Sequence, residues 1–443
     1  MKSKISFAFT DKLKIISNLK FVEYDNSWLV IDYESPNWII FNNFDYYIFQ
    51  QFCNHRSVEE VILDVTNKHK IPLESSKKKV SDVIQKMYTE NFIESNPRPK
   101  NLEPHFNTLF LYVTYCCNLK CIHCFLNTSD LTKNNDLMFN DFKEIMDIVK
   151  ESHPYIKEIV FTGGEPLTRK DIFDLASYSK SIGFKNTLFT NGLLVNHKNI
   201  EEIQRNFECV QMSIDGTSME INDNIRGEGT YVKILKALSL LKDYNIHSRL
   251  SCTIMPQNYI DFKENALRFF EELKIKVGYF DLNFGLSEKL GRAINSKSYF
   301  EENIGDIRNL IFEMNCELIR KGWKYKNSFT KFNKKQRCDY AKDIIIYPNG
   351  DYLPCEKSMA LGNVKITNLN ELIKYAKIKV DYYSVDNLKP CNDCELKFIC
   401  SGGCLVEKIS SFERTGIVAC ENNHKYQIYK QLIGSEKKSD TNI

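Results

Sequence analysis

The strongest constraint on the fold is an alternation repeated through the middle of the chain. Strand-like apolar runs occur at "LFLYVTY" (109–115), "EIVFTGG" (158–164), "NTLFTNG" (186–192), "VQMSIDG" (210–216), "HSRLSCTIM" (247–255) and "VGYFDLNF" (277–284). Helix-length amphipathic segments such as "DFKEIMDIVKES" and "TYVKILKALSLLKDY" lie between them. Six short strands alternating with helices predict a parallel α/β arrangement, because parallel neighbours need a long crossover connection. A cysteine cluster, Gly163-Gly164-Glu165-Pro166, Thr190-Asn191-Gly192 and Asp215-Gly216 each directly follow one of these strands. The C-terminal edge of a parallel sheet is where ligand sites are built. A Gly-Gly or Asp-Gly taken singly is an ordinary turn, but four such placements in order point to an enzyme.

Composition adds a few exclusions. The 443 residues are enough for two or three domains, and 60 Lys+Arg against 57 Asp+Glu leave a net charge of +3. That balance supplies no global basic surface for nucleic acid. No apolar run reaches membrane-spanning length and the N-terminus lacks a signal-peptide core, so the expectation is a cytoplasmic protein with no membrane partner. In that compartment fifteen cysteines do not make a disulfide framework, and clustered ones read as metal or redox ligands.

Cys117, Cys121 and Cys124 have the spacing C-x3-C-x2-C within "CCNLKCIHC". A structural zinc site presents four protein ligands. Here His123 is squeezed between two of the cysteines, and Cys116 faces the other way if the strand continues to that point. Three thiolates on a compact loop suit a [4Fe–4S] cluster with one iron open to an external ligand, with zinc as the alternative. Placed after a first strand and followed by Gly163-Gly164-Glu165-Pro166 after the second, this motif resembles the radical S-adenosylmethionine (radical SAM) superfamily. The resemblance implies a partial (β/α)6 barrel over 105–325, with SAM chelated to the open iron. Reductive cleavage would then give a deoxyadenosyl radical that abstracts a hydrogen atom from substrate, the cofactor carrying the hard chemistry. It also implies roles for individual residues. Gly163 and Gly164 would let the backbone approach the methionine part of SAM, and Glu165 would receive its ammonium group. Ser213 and Asp215 would meet the ribose hydroxyls and the carboxylate end, Arg226 would pair with the SAM carboxylate, and Thr190 and Asn191 would line the same rim.

Toward the C-terminus the order Cys338, Gly350, Cys355, then Cys391, Cys394, Cys400 and Cys404, then Cys420 resembles the SPASM domain, expected over 335–433. That resemblance implies two auxiliary [4Fe–4S] clusters, three clusters in all. Cys338, Cys355 and Cys404 would hold the first, and Cys391, Cys394, Cys400 and Cys420 the second. The segment "NSFTKFNKKQR" lacks the extra upstream cysteine found in some relatives, so either Cys316 completes the first cluster or that cluster keeps an open iron. A zinc ribbon is the alternative for these cysteines. Glu356, directly after Cys355, falls where some sulfatase-maturing relatives carry an acidic residue acting as a base; a solvated glutamate is the plainer alternative.

The first hundred residues speak to substrate. Residues 20–97 contain three short strand-like runs broken by Asp-Asn-Ser and Ser-Pro-Asn turns, then three helical segments, the second opening with a capping box from Ser57 to Glu60. "NPRPKNLEP" reads as a linker after them. This pattern resembles the winged-helix leader-recognition element of ribosomal-peptide maturases, in which the leader adds as a strand to the sheet edge. A DNA-binding winged helix is the competing reading, but the lysines of "SSKKKVSDVIQK" lack a wider basic face. Together the three parts resemble a radical SAM–SPASM maturase that crosslinks a precursor peptide, with electrons from a flavodoxin- or ferredoxin-type donor. The expected product is a thioether from Cys to another residue's carbon. Carbon–carbon crosslinking such as Lys–Trp and formylglycine formation are the alternatives, and a zinc-bound winged-helix regulator is the non-enzyme reading.

Overall fold

The computed structural model describes residues 8–93 except 25, 33 and 36; 107–126 and 128; 136–300; 304–323; 340–400; and separate positions between 402 and 433. The chain forms two compact units. One contains residues 1–103, 331–338 and 382–443, and the other residues 104–330 and 339–381.

In the first unit, β1 (Leu19–Tyr24), β2 (Ser27–Asp32) and β3 (Trp38–Asn42) form an antiparallel meander in sequence order. Helices α1 (Asn43–Cys53), α2 (Val58–His69) and α3 (Leu73–Thr89) follow. Asn42 caps α1 by accepting from Asp45 N, and the capping box of α2 is formed in both directions between Ser57 and Glu60. Alternate side chains explain the sheet's two sides. Val30, Ile39 and Phe41 pack with Phe49, Phe52, Val61 and Val83 of the helices. Leu29, Ile31 and Ile40, pointing the opposite way, pack with Leu396, Ile399, Ile428, Leu432 and Ile433 from the C-terminal segment. A strand covered on both faces reads as a continuous apolar run, which is why "WLVI" in β2 shows no polar alternation.

The second unit is built on β4 (Thr108–Tyr112), α4 (Phe139–Ser152), β5 (Glu158–Thr162), α5 (Ile172–Ser181), β6 (Lys185–Thr190), α6 (Ile200–Asn206), β7 (Cys209–Ser213), α7 (Met219–Arg226), α8 (Thr230–Asp243), β8 (Ser248–Ile254), α9 (Tyr259–Val277) and β9 (Asp281–Leu286). β4 to β9 pair in parallel, in sequence order. All six strands read from the sequence are present. The last starts later than its apolar run, because α9 continues through Val277 and stops at Gly278, which has φ +78°. After α10 (Arg292–Ser296) and α11 (Ile304–Arg320), three further strands join the sheet. β10 (Ile344–Ile346) pairs in parallel with β4, while β11 (Asp351–Leu353) and β12 (Gly362–Asn363) continue antiparallel, before α12 (Leu369–Tyr382). The sequence reading placed no strand there. Its signal is Ile344-Ile345-Ile346 followed by Pro348-Asn349-Gly350, an apolar run ending in a hairpin turn. No described helix is long and apolar enough to cross a membrane.

Between α9, β9 and the segment after α11, Phe270 is fully buried, with the rings of Phe262, Phe269, Phe280, Phe284 and Trp323 all 5.1–6.5 Å from its centroid. Phe270→Ala is expected to cost about 3–5 kcal/mol, read as a lowered midpoint in chemical denaturation. An unchanged midpoint would mean that this aromatic cluster contributes nothing to the core beside the parallel strands.

Candidate active site

The C-terminal ends of β4 to β8 converge on the cysteine loop. The loop is fastened from two sides. Ile122 N donates to Ile225 O at 3.1 Å, and Arg292 N donates to Cys124 O at 2.9 Å. The Arg292 side chain donates to Cys121 O (3.0 Å) and Thr128 O (2.8 Å), while Ser296 Oγ donates to Ile122 O at 2.8 Å. Cys117 Sγ accepts from Leu119 N at 3.4 Å and from Asn191 Nδ2 at 3.9 Å. Burial pushes the Cys117 thiol up to about 11 and raises Cys121 as well. Bare thiols here hold their protons, so metal binding must displace them. Among the described residues no group of His, Cys, Asp and Glu is drawn together tightly enough for a single metal ion. A four-iron cluster asks for a wider arrangement, since each thiolate sits on its own iron.

The Gly163-Gly164 pair meets this loop backbone to backbone. Gly164 N donates to Thr114 O and Glu165 N to Cys116 O, both at 2.7 Å. A Cβ on Gly163, whose φ is +133°, would lie 2.6 Å from Thr114 O, and one on Gly164 would lie 2.1 Å from Cys116 O. The absence of side chains is therefore required by contact within the protein itself, a role distinct from the approach to SAM expected from the sequence. Glu165 is fully buried. Its Oε1 accepts from Leu167 N (3.1 Å) and Thr190 Oγ1 (2.7 Å), and its Oε2 accepts from Asn191 N (2.8 Å). Burial pushes its pKa up to about 7, against these three donors. A carboxylate has about four acceptor positions, so one on Oε2 remains for an external donor. The Asn191 side chain reaches Asn118 Oδ1 at 2.7 Å. Asn118 was missed by the sequence reading, being one polar residue between two cysteines with no pattern to mark it.

Asp215 is also fully buried, and its carboxylate is engaged by the protein. Oδ1 accepts from Thr253 N at 2.8 Å, and Oδ2 lies 2.7 Å from Arg226 Nε and 3.3 Å from His123 Nε2. Asp215 thereby anchors Arg226, a contact that the sequence reading did not anticipate. With Nε so held, the two terminal nitrogens of Arg226 are the ones left to grip a carboxylate as a fork. Arg226 ends α7, and its carbonyl lies 3.9 Å from Cys121 Sγ. Ser213, partly exposed, ends β7 opposite Ser251. His123, weighed from sequence as a metal ligand, instead turns Nε2 to Asp215. Burial pulls it down to about 4 despite Asp215, so it is neutral, and its buried Nδ1 has no hydrogen-bond partner. A buried orphan atom of this kind calls for a ligand or water.

Glu356 accepts from Tyr112 Oη at 2.5 Å. It keeps accessible surface, yet desolvation raises its pKa, the combination expected of a group lining a recess. In the other unit, Cys391, Cys394, Cys400 and Cys420 line one cavity of about 30 Å³ together with Lys425. Cys355 belongs to the second unit and Cys404 to the first. Cys338 and the side chain of Cys316 lie outside the described residues.

Residues 111–269 match the radical SAM superfamily model. The chain is 31% identical over 214 residues to Fe-coproporphyrin III synthase of Methanosarcina barkeri, spanning 48% of this chain and 52% of that protein, about half its length. It is 30% identical over 316 residues to AdoMet-dependent heme synthase of the same organism, spanning 66% of this chain and 88% of that one. With the Bacillus subtilis antilisterial bacteriocin subtilosin biosynthesis protein AlbA it shares 24% identity over 76% of this chain and 75% of AlbA. Among solved structures, Streptococcus suis SuiB bound to S-adenosylmethionine matches with TM-score 0.53 at 17% identity, covering 90% of this chain and 96% of SuiB.

Gly164→Ala is expected to lower the iron retained after anaerobic reconstitution, because the added Cβ must push Cys116 and the loop after it away from the glycine turn. Gly285→Ala, with nothing within 4 Å of its added Cβ, serves as the matched control. Equal iron in the two variants would show that the contact does not hold the loop. The cysteine loop, the glycine pair and the ordered strand ends, together with these similarities, make this chain an enzyme of the radical SAM superfamily.

Proposed function

We propose that the chain is a cytoplasmic maturase that crosslinks a ribosomally synthesised precursor peptide. The reading assigns residues 20–97 to leader recognition as a PqqD-like winged helix, 105–325 to a partial radical SAM barrel and 335–433 to a SPASM segment. The observation that carries the maturase reading is the gathering of Cys391, Cys394, Cys400 and Cys420 on one cavity, since an auxiliary redox centre suits a reaction that must remove electrons from its product. AlbA, and SuiB with its precursor peptide SuiA, supply the peptide. The haem-related relatives are the more nearly identical and favour a second reading, chemistry on a tetrapyrrole.

The residues present fit the groups this reading requires. Three thiolates share one loop, Glu165 retains one acceptor position, Arg226 is oriented through Nε, and His123 Nδ1 is unpartnered. Cys117, Cys121 and Cys124 would hold the SAM-binding cluster. Cys338, Cys355 and Cys404 would hold the first auxiliary cluster, with Cys316 as a candidate fourth ligand, and the four cavity cysteines the second. When bound, the reduced cluster and SAM supply a deoxyadenosyl radical that abstracts hydrogen. Around them Glu165 would accept from the amino group and Arg226 would grip the carboxylate, with Ser213 and Asn191 on the same rim. Glu356 takes up a proton from the substrate. A flavodoxin- or ferredoxin-type partner delivers the electron. If Cys316 does not complete the first auxiliary cluster, its open iron would favour thioether formation over a carbon–carbon bond.

Anaerobic reconstitution is expected to give about twelve irons per chain, falling to about eight in the Cys117/Cys121/Cys124→Ala variant. Zinc in place of iron, or no loss in the variant, would contradict the three-cluster assignment. Incubation with a precursor peptide is expected to remove two hydrogens per bond, with cysteines lost to alkylation if the bond is a thioether. A tetrapyrrole converted while peptides stay unchanged would favour the second reading.

A further inference from the structure

The wall beside the cysteine loop brings aromatic rings together with the Glu356 carboxylate. Tyr112 ends β4 and is buried; its ring centroid lies 4.7 Å from that of Tyr347 and 6.2 Å from that of Phe125. Phe125 directly follows Cys124 and is 38% exposed. Tyr347, partly exposed, starts the turn after β10. The accessible side chain of Glu356 is pinned through Oε1 by Tyr112 Oη at 2.5 Å, close enough to Tyr347 to act on its hydroxyl electrostatically. The adjacent Lys357 pairs with Glu288 at 2.7 Å while still acting electrostatically on Glu356. All of these residues belong to the second unit.

Ring faces carry negative potential, and a carboxylate held among them adds to it. Such a pocket repels an anion and gives an apolar group no return for further desolvating the carboxylate, but it attracts a cation both electrostatically and through the π faces. We propose that Glu356, Tyr347 and Phe125, with Tyr112 as the positioning residue, form a subsite for a cationic side chain of the substrate, lysine or arginine. The proposal deepens the peptide reading, and rests on it only for the statement that the cation belongs to a peptide. It predicts a basic residue in the stretch of substrate presented at the cysteine loop.

Saturation-transfer NMR on the full chain tests the subsite, using Nα-acetyl-lysine N-methylamide, its arginine counterpart, and the neutral norleucine isostere as probes. The cationic probes are expected to bind about tenfold more tightly than norleucine. Glu356→Gln, which keeps an acceptor for Tyr112 Oη, is expected to bring the cationic probes down to the norleucine level. Tyr347→Leu is expected to weaken the cationic probes several-fold while leaving norleucine unchanged. Equal binding of charged and neutral probes would overturn the proposal. So would unchanged cation affinity in Glu356→Gln, the result expected if Glu356 acts only as a base. The probes need neither cluster nor crosslinking, so the maturase reading fails separately, by an unmodified peptide alongside intact cation binding.

Discussion

The buried carboxylate of Glu165 is the constraint on which the rest of the site depends. Its side chain collects donors from the residue after Pro166 and from the end of β6, while its backbone N is bound to the cysteine loop. One residue thereby joins the ends of three strands. A carboxylate without water is costly unless it is fully hydrogen-bonded, and its raised pKa reflects a balance in which burial still outweighs the donors. The same geometry explains Gly163 and Gly164, because the turn that delivers Glu165 passes too close to Thr114 and Cys116 for any side chain. Close backbone contact and a buried charge are thus parts of one arrangement, and the loop with the three thiols is fixed by both.

A second buried charge completes the rim. Arg226 is held by Asp215 rather than by solvent, which sets the plane of its guanidinium before any ligand arrives. Asp215 is in turn held by Thr253 N at the end of β8, so the orientation of one arginine depends on two neighbouring strands and on α7. Pre-orienting a fork donor lowers the entropy lost when it grips a planar anion. Near it burial keeps His123 neutral, so the cations beside the cluster loop are Arg226 and Arg292.

Much of this was legible in the residues themselves. The six strands follow from apolar runs of the right length between amphipathic helices, the α2 capping box from Ser57 and Glu60, and the candidate ligands from cysteine spacing. Each of these is a local regularity, in which the informative residues are neighbours in sequence. β10 was also legible in principle, but a three-residue strand carries too little periodicity to stand out from a cysteine-rich region. The pairing of Asp215 with Arg226 was not legible, since both have polar side chains suited equally to ligand or to one another, and only their shared burial decides between the two.

The amino-acid sequence by itself determined the parallel α/β class, the strand ends at which chemistry collects, and the three thiols on one loop, because those depend on spacing along the chain. The tertiary structure alone decided what sequence separation conceals. Tyr112 meets Glu356 across 244 positions, and the outer face of the N-terminal sheet closes on apolar residues from the far end of the chain. Burial of apolar surface has no direction, so it names the residues to be covered without naming their cover. Which distant segment covers them, and which polar group is thereby left to face a ligand, is settled only when the whole chain has packed.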